Sequence, residues 1–183
     1  MVTMRVTKFF LAVSLVLVAG ACRQTASSSS SGSAGDATVI RVVDGDTIHV
    51  RLQGTDEPVR LIGIDTPETH RPGTPVECFG AEATVRMQAL LPKGTPVRVV
   101  RDAEARDRYG RLLAYIYRRS DGLFVNLAMA NEGYATTLTY PPNTAHVDEF
   151  VAAVRSARAA DIGLWSRCGS AHIALSKVPR ASP

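Results

Sequence analysis

The chain has 183 residues, enough for one ordinary domain. Hydrophobic residues make up 45% and charged residues 21%, which excludes a disordered or fibrous chain and suits a globular fold. The formal net charge is +4, half of it carried by Arg5 and Lys8 at the N-terminus, so charge alone neither demands nor excludes an anionic partner.

Residues 1–21 read as a signal peptide. Arg5 and Lys8 form a positive start, Phe9 to Val18 an apolar run too short to span a bilayer comfortably, and Ala19-Gly20-Ala21 a small-residue cleavage site. Together with Cys22 the same run resembles a bacterial lipobox, with Ala19 where a large apolar residue is usual. Residues 22–37 are rich in Ser, Gly and Ala, cannot bury apolar area, and read as a flexible tether. A tether favours lipidation at Cys22 and an exported, cell-surface lipoprotein over a freely secreted form. Cys78 and Cys168 then remain as a pair. In an oxidising compartment they are expected to form a disulfide, since neither sits in a C-x-x-C motif.

The folded domain is expected over 38–170, with 171–183 as a disordered tail. Thr38 to Val43 reads as a strand, Asp44-Gly45 as a hairpin turn of type I′, and Thr47 to Leu52 and Val59 to Ile64 as further strands. Residues 65–80 show no period and form a long loop. Ala83, Met87, Leu90 and Leu91 share one face of a helix that Pro92-Lys93-Gly94 stops. Pro96 to Arg101 and Leu112 to Arg118 read as strands, and Val125 to Glu132 as a short helix ended by Gly133. Val147, Phe150, Val151 and Val154 mark a last helix to about Ala160, which Trp165 is expected to pack against the sheet. The predicted fold class is α+β: a five-stranded OB-fold-type β-barrel with about three packed α-helices.

Three clusters carry chemistry: Asp44-Gly45-Asp46-Thr47, Asp65-Thr66-Pro67-Glu68 with Arg60 at the start of the preceding strand, and Asp107-Arg108-Tyr109-Gly110-Arg111. All lie at strand ends, where loops present function. Singly, each has a plain reading as a turn, a capped loop or a solvated charge pair. Together, RVVDGDTI at 41–48, RLIGIDTPET at 60–69, GAEA at 80–83, DRYGRLLAYIY at 107–117, TYPPNTAH at 139–146 and GLWS at 163–166 resemble the staphylococcal nuclease (thermonuclease) family. The resemblance covers about residues 38–167.

That resemblance implies a calcium-dependent phosphodiesterase. It would hydrolyse DNA and RNA, single-stranded or heat-denatured, and leave 3′-phosphate ends. It implies Asp46, Asp65 and the carbonyl of Thr66 as ligands of Ca2+. It implies Glu68 as the base that activates water, and Arg60 and Arg111 as the arginines that hold the phosphate. Arg108, Tyr109 and Tyr140 would contact substrate. These residue types suit that chemistry, because a hard cation takes oxygen ligands and guanidiniums grip phosphoryl oxygens in a bidentate fork. Leu138 and Pro141 depart from the family's best-known member at a stacking tyrosine and a loop lysine, and the cysteine pair is an addition to it. Arg60 and Asp65 can face one site only if the chain bends between them, which Gly63 allows.

His49, His70, His146 and His172 have no metal spacing and are assigned no role. His70 reads as a solvated loop residue. The competing expectation is a catalytically silent OB-fold that binds nucleic acid or a protein; the intact set of acids and arginines argues against it. A carboxylate-pair glycosidase fits the flanking arginines poorly. A monomer is expected.

Overall fold

The computed structural model describes residues 33–69, 73 and 75–178. The signal peptide, Cys22, the tether up to residue 32, His70 and the last five residues lie outside these. In chain order the elements are β1 (Ser33–Val42), β2 (Thr47–Leu52), β3 (Thr55–Leu61), β4 (Gly63–Asp65), α1 (Gly80–Leu90), β5 (Pro96–Arg106), β6 (Leu112–Arg118), α2 (Val125–Asn131), β7 (Thr136–Leu138), α3 (Val147–Ala159) and α4 (Leu164–Cys168). A short 3-10 turn follows at Leu175–Lys177.

Five strands close a barrel in the order β1-β2-β3-β6-β5, with β5 returning to β1. All neighbours are antiparallel except β3 and β6, which run parallel from Val59↔Leu112 to Leu61↔Ala114. The expected five-stranded α+β barrel is therefore present. Closure leaves none of the five strands as an open edge.

Alternation along β2 puts Ile48, Val50 and Leu52 inside and leaves Arg51 in solvent. In β6 the first five residues, Leu112 to Ile116, are all buried. Such a run means that both faces are covered. One face lines the barrel. On the other, Tyr115 stacks on Phe150 of α3 at 6.2 Å and meets Phe124 edge-on at 5.8 Å. Buried Asn126 of α2 ties this layer to the barrel. Its Oδ1 accepts the Ile116 N–H at 2.9 Å, and its Nδ2 donates to Ile62 O at 2.8 Å and Ala114 O at 3.2 Å.

Gly63 breaks the third strand in two. Its φ is +86°, and a Cβ there would stand 2.1 Å from a ring carbon of Phe150. Only glycine fits both demands. Beyond it the chain leaves β6, and β4 pairs with β7 instead, from Gly63↔Leu138 to Asp65↔Thr136.

Four expectations need correction. The stretch read as tether is strand from Ser33, and β1 pairs with β5 as Asp36↔Arg98 and Ala37↔Val97. Main-chain pairing with β5 runs along this part, and Ala37 at its end is buried in the core. The stretch read as a disordered tail is anchored as far as Ala174: Cys78 N–H donates to Ile173 O at 2.7 Å and Glu77 bridges Ala174, after which Lys177 N–H closes a local turn on Ala174 O at 2.8 Å. The Asp44-Gly45 turn is not type I′, because Gly45 lacks the positive φ that this turn requires. Gly45 serves close approach: a Cβ there would come within 2.9 Å of Thr66 and Ala83. Trp165 packs with Ala157, Leu164 and Phe79, hence between α3, α4 and the start of α1 rather than on the barrel.

The Cys78–Cys168 disulfide is formed, with Cα atoms 6.0 Å apart across 90 residues. It joins the loop before α1 to the end of α4.

Candidate active site

The bend at Gly63 does what a straight strand could not. Arg60 and Asp65, five residues apart, meet on one side, with Arg60 Nη2 donating to Asp65 Oδ1 at 2.7 Å. Arg60 Nε stands 3.1 Å from Asp46 Oδ1, and Nη1 donates to the carbonyls of Ile64, at 2.9 Å, and Leu61. The guanidinium is thus fixed at the mouth of the barrel between two carboxylates.

Asp46 is buried where the turn enters β2. Its Oδ2 accepts both the N–H and the hydroxyl of Thr66 at 2.9 Å, and its Oδ1 accepts the Thr47 hydroxyl at 3.1 Å. The first and second sequence clusters are therefore one cluster in space. Asp44 lies beside them and accepts the Asp46 N–H at 3.0 Å. Burial, then the neighbouring Asp46 charge, pushes the Asp44 carboxyl up to about 6. Burial also raises Asp65, against the pull of Arg60 and with the push of Asp46.

The third cluster forms the opposite wall. Asp107 Oδ1 accepts the backbone N–H groups of Tyr109 and Arg111, at 2.9 and 3.0 Å, and its Oδ2 accepts Arg111 Nε at 2.7 Å. Burial pushes the Asp107 carboxyl up, but these hydrogen bonds outweigh it and hold the group below its ordinary range. Arg108 donates to the Tyr109 hydroxyl at 2.6 Å, and both arginines lie over the Tyr109 ring, which is 67% exposed.

An open cleft of about 1000 Å3 runs between these walls, lined by Arg60, Asp65, Glu68, Arg108, Tyr109, Arg111, Leu138 and Tyr140 among others. A polar pocket of about 120 Å3 adjoins it, lined by Asp44, Asp46, Asp65, Thr66, Glu68, Glu77, Arg60, Arg111 and His172 among others. Each residue singled out from the sequence as catalytic, metal-binding or substrate-contacting lines one or both. Leu138, expected as a departure, contributes an apolar wall where β7 ends.

The polar pocket has the chemistry for a hard cation. Asp46, Asp65 and Thr66 line it with oxygen donors, which suit a hard cation and not a soft metal. Its acids outnumber its arginines, and two of them carry raised pKa values, as expected of a site that welcomes added positive charge. Among the described residues, no group of three or more His, Cys, Asp or Glu is gathered as a ready metal cage.

Two residues escaped the sequence reading, and two more, Asp44 and Asp107, stood in its chemical clusters without a role of their own. Glu77 carried no motif. His172 was assigned no role, yet its Nε2 lies 3.3 Å from Asp65 Oδ2 and its Nδ1 2.8 Å from Glu77 Oε2. The cysteine pair was the available signal for the last two, because it brings position 77 close to the segment after 168.

A sequence profile described as "Staphylococcal nuclease homologue" matches residues 58–167. The thermonuclease of Staphylococcus intermedius is 42% identical over 129 residues, which are 70% of this chain and 75% of that protein. The SPbeta prophage-derived endonuclease YokF of Bacillus subtilis (strain 168) is 38% identical over 135 residues, 73% of this chain and 45% of that one. Endonuclease YncB of the same strain is 37% identical over 133 residues, 72% and 62% respectively. The chain therefore spans less than two thirds of the length of the two Bacillus relatives.

Proposed function

The chain belongs to the staphylococcal nuclease homologue family, and on that premise we propose that it is a calcium-dependent nuclease that hydrolyses phosphodiester bonds of DNA and RNA and leaves 3′-phosphate ends. The observation that carries this reading is the meeting of Arg60, Arg111 and Glu68 around one cleft, beside a pocket of oxygen donors.

Asp46, Asp65 and the Thr66 carbonyl would hold the cation. Bound there, calcium would neutralise phosphate charge and help orient the attacking water. Glu68 accepts the proton of that water as it attacks phosphorus. Negative charge then grows on the equatorial oxygens, where Arg60 and Arg111 bind it. Asp107 takes the Nε of Arg111, so the Nη groups are the part that meets phosphate. Arg60 exchanges carboxylate oxygens for phosphoryl oxygens of similar charge and geometry. The P–O bond to the 5′-oxygen breaks, and the phosphate stays on the 3′-oxygen. Arg108, Tyr109 and Tyr140 extend the grip along the strand. Export is part of the same proposal, with Cys22 as the lipid anchor; the disulfide suits an oxidising compartment, where free calcium is plentiful.

Heat-denatured DNA tests it. Cleavage should require calcium, vanish with chelator, and fall by about 10²–10⁴-fold in Glu68→Gln. Calcium should also raise the melting temperature of the protein without substrate. Cleavage that survives both chelator and substitution would overturn the mechanism.

A further inference from the structure

Glu77 stands nine residues beyond Glu68, where the loop returns to α1. Its N–H donates to the carbonyl of Glu68 at 2.8 Å. Its Oε2 accepts the N–H of Glu68 at 2.9 Å. One residue thus holds both backbone polar groups of Glu68, on either side of the carbon from which the acid side chain departs.

The carboxylate of Glu77 is itself held. Nδ1 of His172 lies 2.8 Å from the same Oε2, and the other face of the ring reaches Asp65, 3.3 Å from Nε2. One imidazole therefore spans the residue that holds Glu68 and the acid proposed as a calcium ligand. His172 sits at φ +56°, a backbone region uncommon for residues other than glycine. Strain of this kind persists only where the surroundings over-determine it. Here they do: Cys168 is fastened to Cys78, Ile173 O accepts the Cys78 N–H, and Ala174 bridges Glu77. These links touch the chain just before, just after and opposite His172.

We propose that Glu77 and His172 are positioning residues of the site, brought there by a C-terminal strap that the disulfide fastens. The strap fixes the Glu77 carboxylate. Glu77 fixes the backbone of Glu68, and with it the direction in which the Glu68 side chain enters the cleft. The inference rests on the reading of Glu68 as base. Phosphate is held by Arg60 and Arg111; the strap reaches Arg60 only through Asp65, so loss of the strap should lower kcat by more than it raises KM.

The test compares full-length His172→Ala, Glu77→Ala and Glu77→Gln with a chain ended after Ser170, which keeps the disulfide. Two readouts are taken on each: steady-state cleavage of denatured DNA in calcium, and hydrogen exchange of the Glu68 amide without substrate or metal. Both alanine variants and the shortened chain should lose about 10-fold or more in kcat, with faster exchange at Glu68. Glu77→Gln, which keeps an acceptor oxygen, should recover most of both. An unchanged kcat and unchanged Glu68 exchange in either His172→Ala or the shortened chain overturns the proposal, and these two variants decide the matter even if Glu77→Ala does not fold. If cleavage by the wild type ignores Glu68→Gln, the reading of the base fails instead, and the exchange data still judge the clamp.

Discussion

Asp46 and Ile48 are two residues apart and both buried, one at the entry to β2 and one inside it. Ile48 faces a barrel interior made of Val50, Val59, Leu61, Val97, Val99 and Ile116, where burial of each side chain stabilises the fold by about 1.5–3 kcal/mol. Asp46 faces a pocket that gathers Asp44, Asp65, Glu68 and Glu77 around Arg60 and Arg111. There burial works against the charged form, and like charges add to the cost. The interior makes the fold stable. The rim uses some of that stability to hold acids closer together than their mutual repulsion favours, and such frustration is what the proposed metal and phosphate site would need.

Arg60→Lys strikes the rim hardest. A lysine cannot fork between Asp46, Asp65 and two carbonyls, nor between two phosphoryl oxygens. The expected loss in kcat on denatured DNA is about 10²–10³-fold, with circular dichroism of the folded protein preserved. Retained kcat would mean that the rim does not depend on this guanidinium.

Ile48→Ala strikes the interior. Denaturant melts should show a loss of about 2–5 kcal/mol. The loss should be the same at pH 4 and pH 7, because no titrating group is involved. A pH-dependent loss would show that the two regions are coupled rather than separate.

Asp44→Asn gives the smallest effect and the opposite sign. The folded Asp44 titrates at about 6, above the ordinary value of an unfolded aspartate, so the folded state binds this proton more tightly. The associated stability is present below about pH 4 and is lost as pH rises through about 6. Asparagine keeps an oxygen for the Asp46 N–H and removes that loss. Melts without calcium should show a gain of about 2–3 kcal/mol at pH 7 and little at pH 4. A loss at pH 7 would show that the ionised Asp44 is paired, not frustrated.

Much of the interior was legible from residue order alone. Leu112–Arg118 and Thr47–Leu52 are strands with the expected bounds, and Ala83, Met87 and Leu90 are the buried face of α1. Period and β-branching report burial against a core, and these segments have one. Ser33 to Asp36 was not legible, because a Ser/Gly/Ala stretch held by main-chain pairing to β5 carries no apolar signature. The short β4–β7 pair rests on backbone pairing in the same way, and the extension of β5 to Arg106 runs through an irregular stretch that regains its partner only at Arg106↔Leu112.

The site divides along the same line. The run Asp65-Thr66-Pro67-Glu68, with Asp46, Arg60 and Arg111 at their separations, was readable as a set, because residue type and order follow from the chemistry they resemble. Two further results could also be read from the chain: the bend at Gly63, from the parity of a strand, and the Cys78–Cys168 pair, from two cysteines that stand in no C-x-x-C motif. Which acids crowd which arginine was decided only in three dimensions. Asp46 meets Thr66 across 20 residues, and His172 meets Glu77 across 95. Local sequence carries no term for either distance. They are set by barrel closure, by the turn of the chain at Gly63 and by a disulfide that draws the C-terminal segment back to the loop, and these are properties of the folded whole.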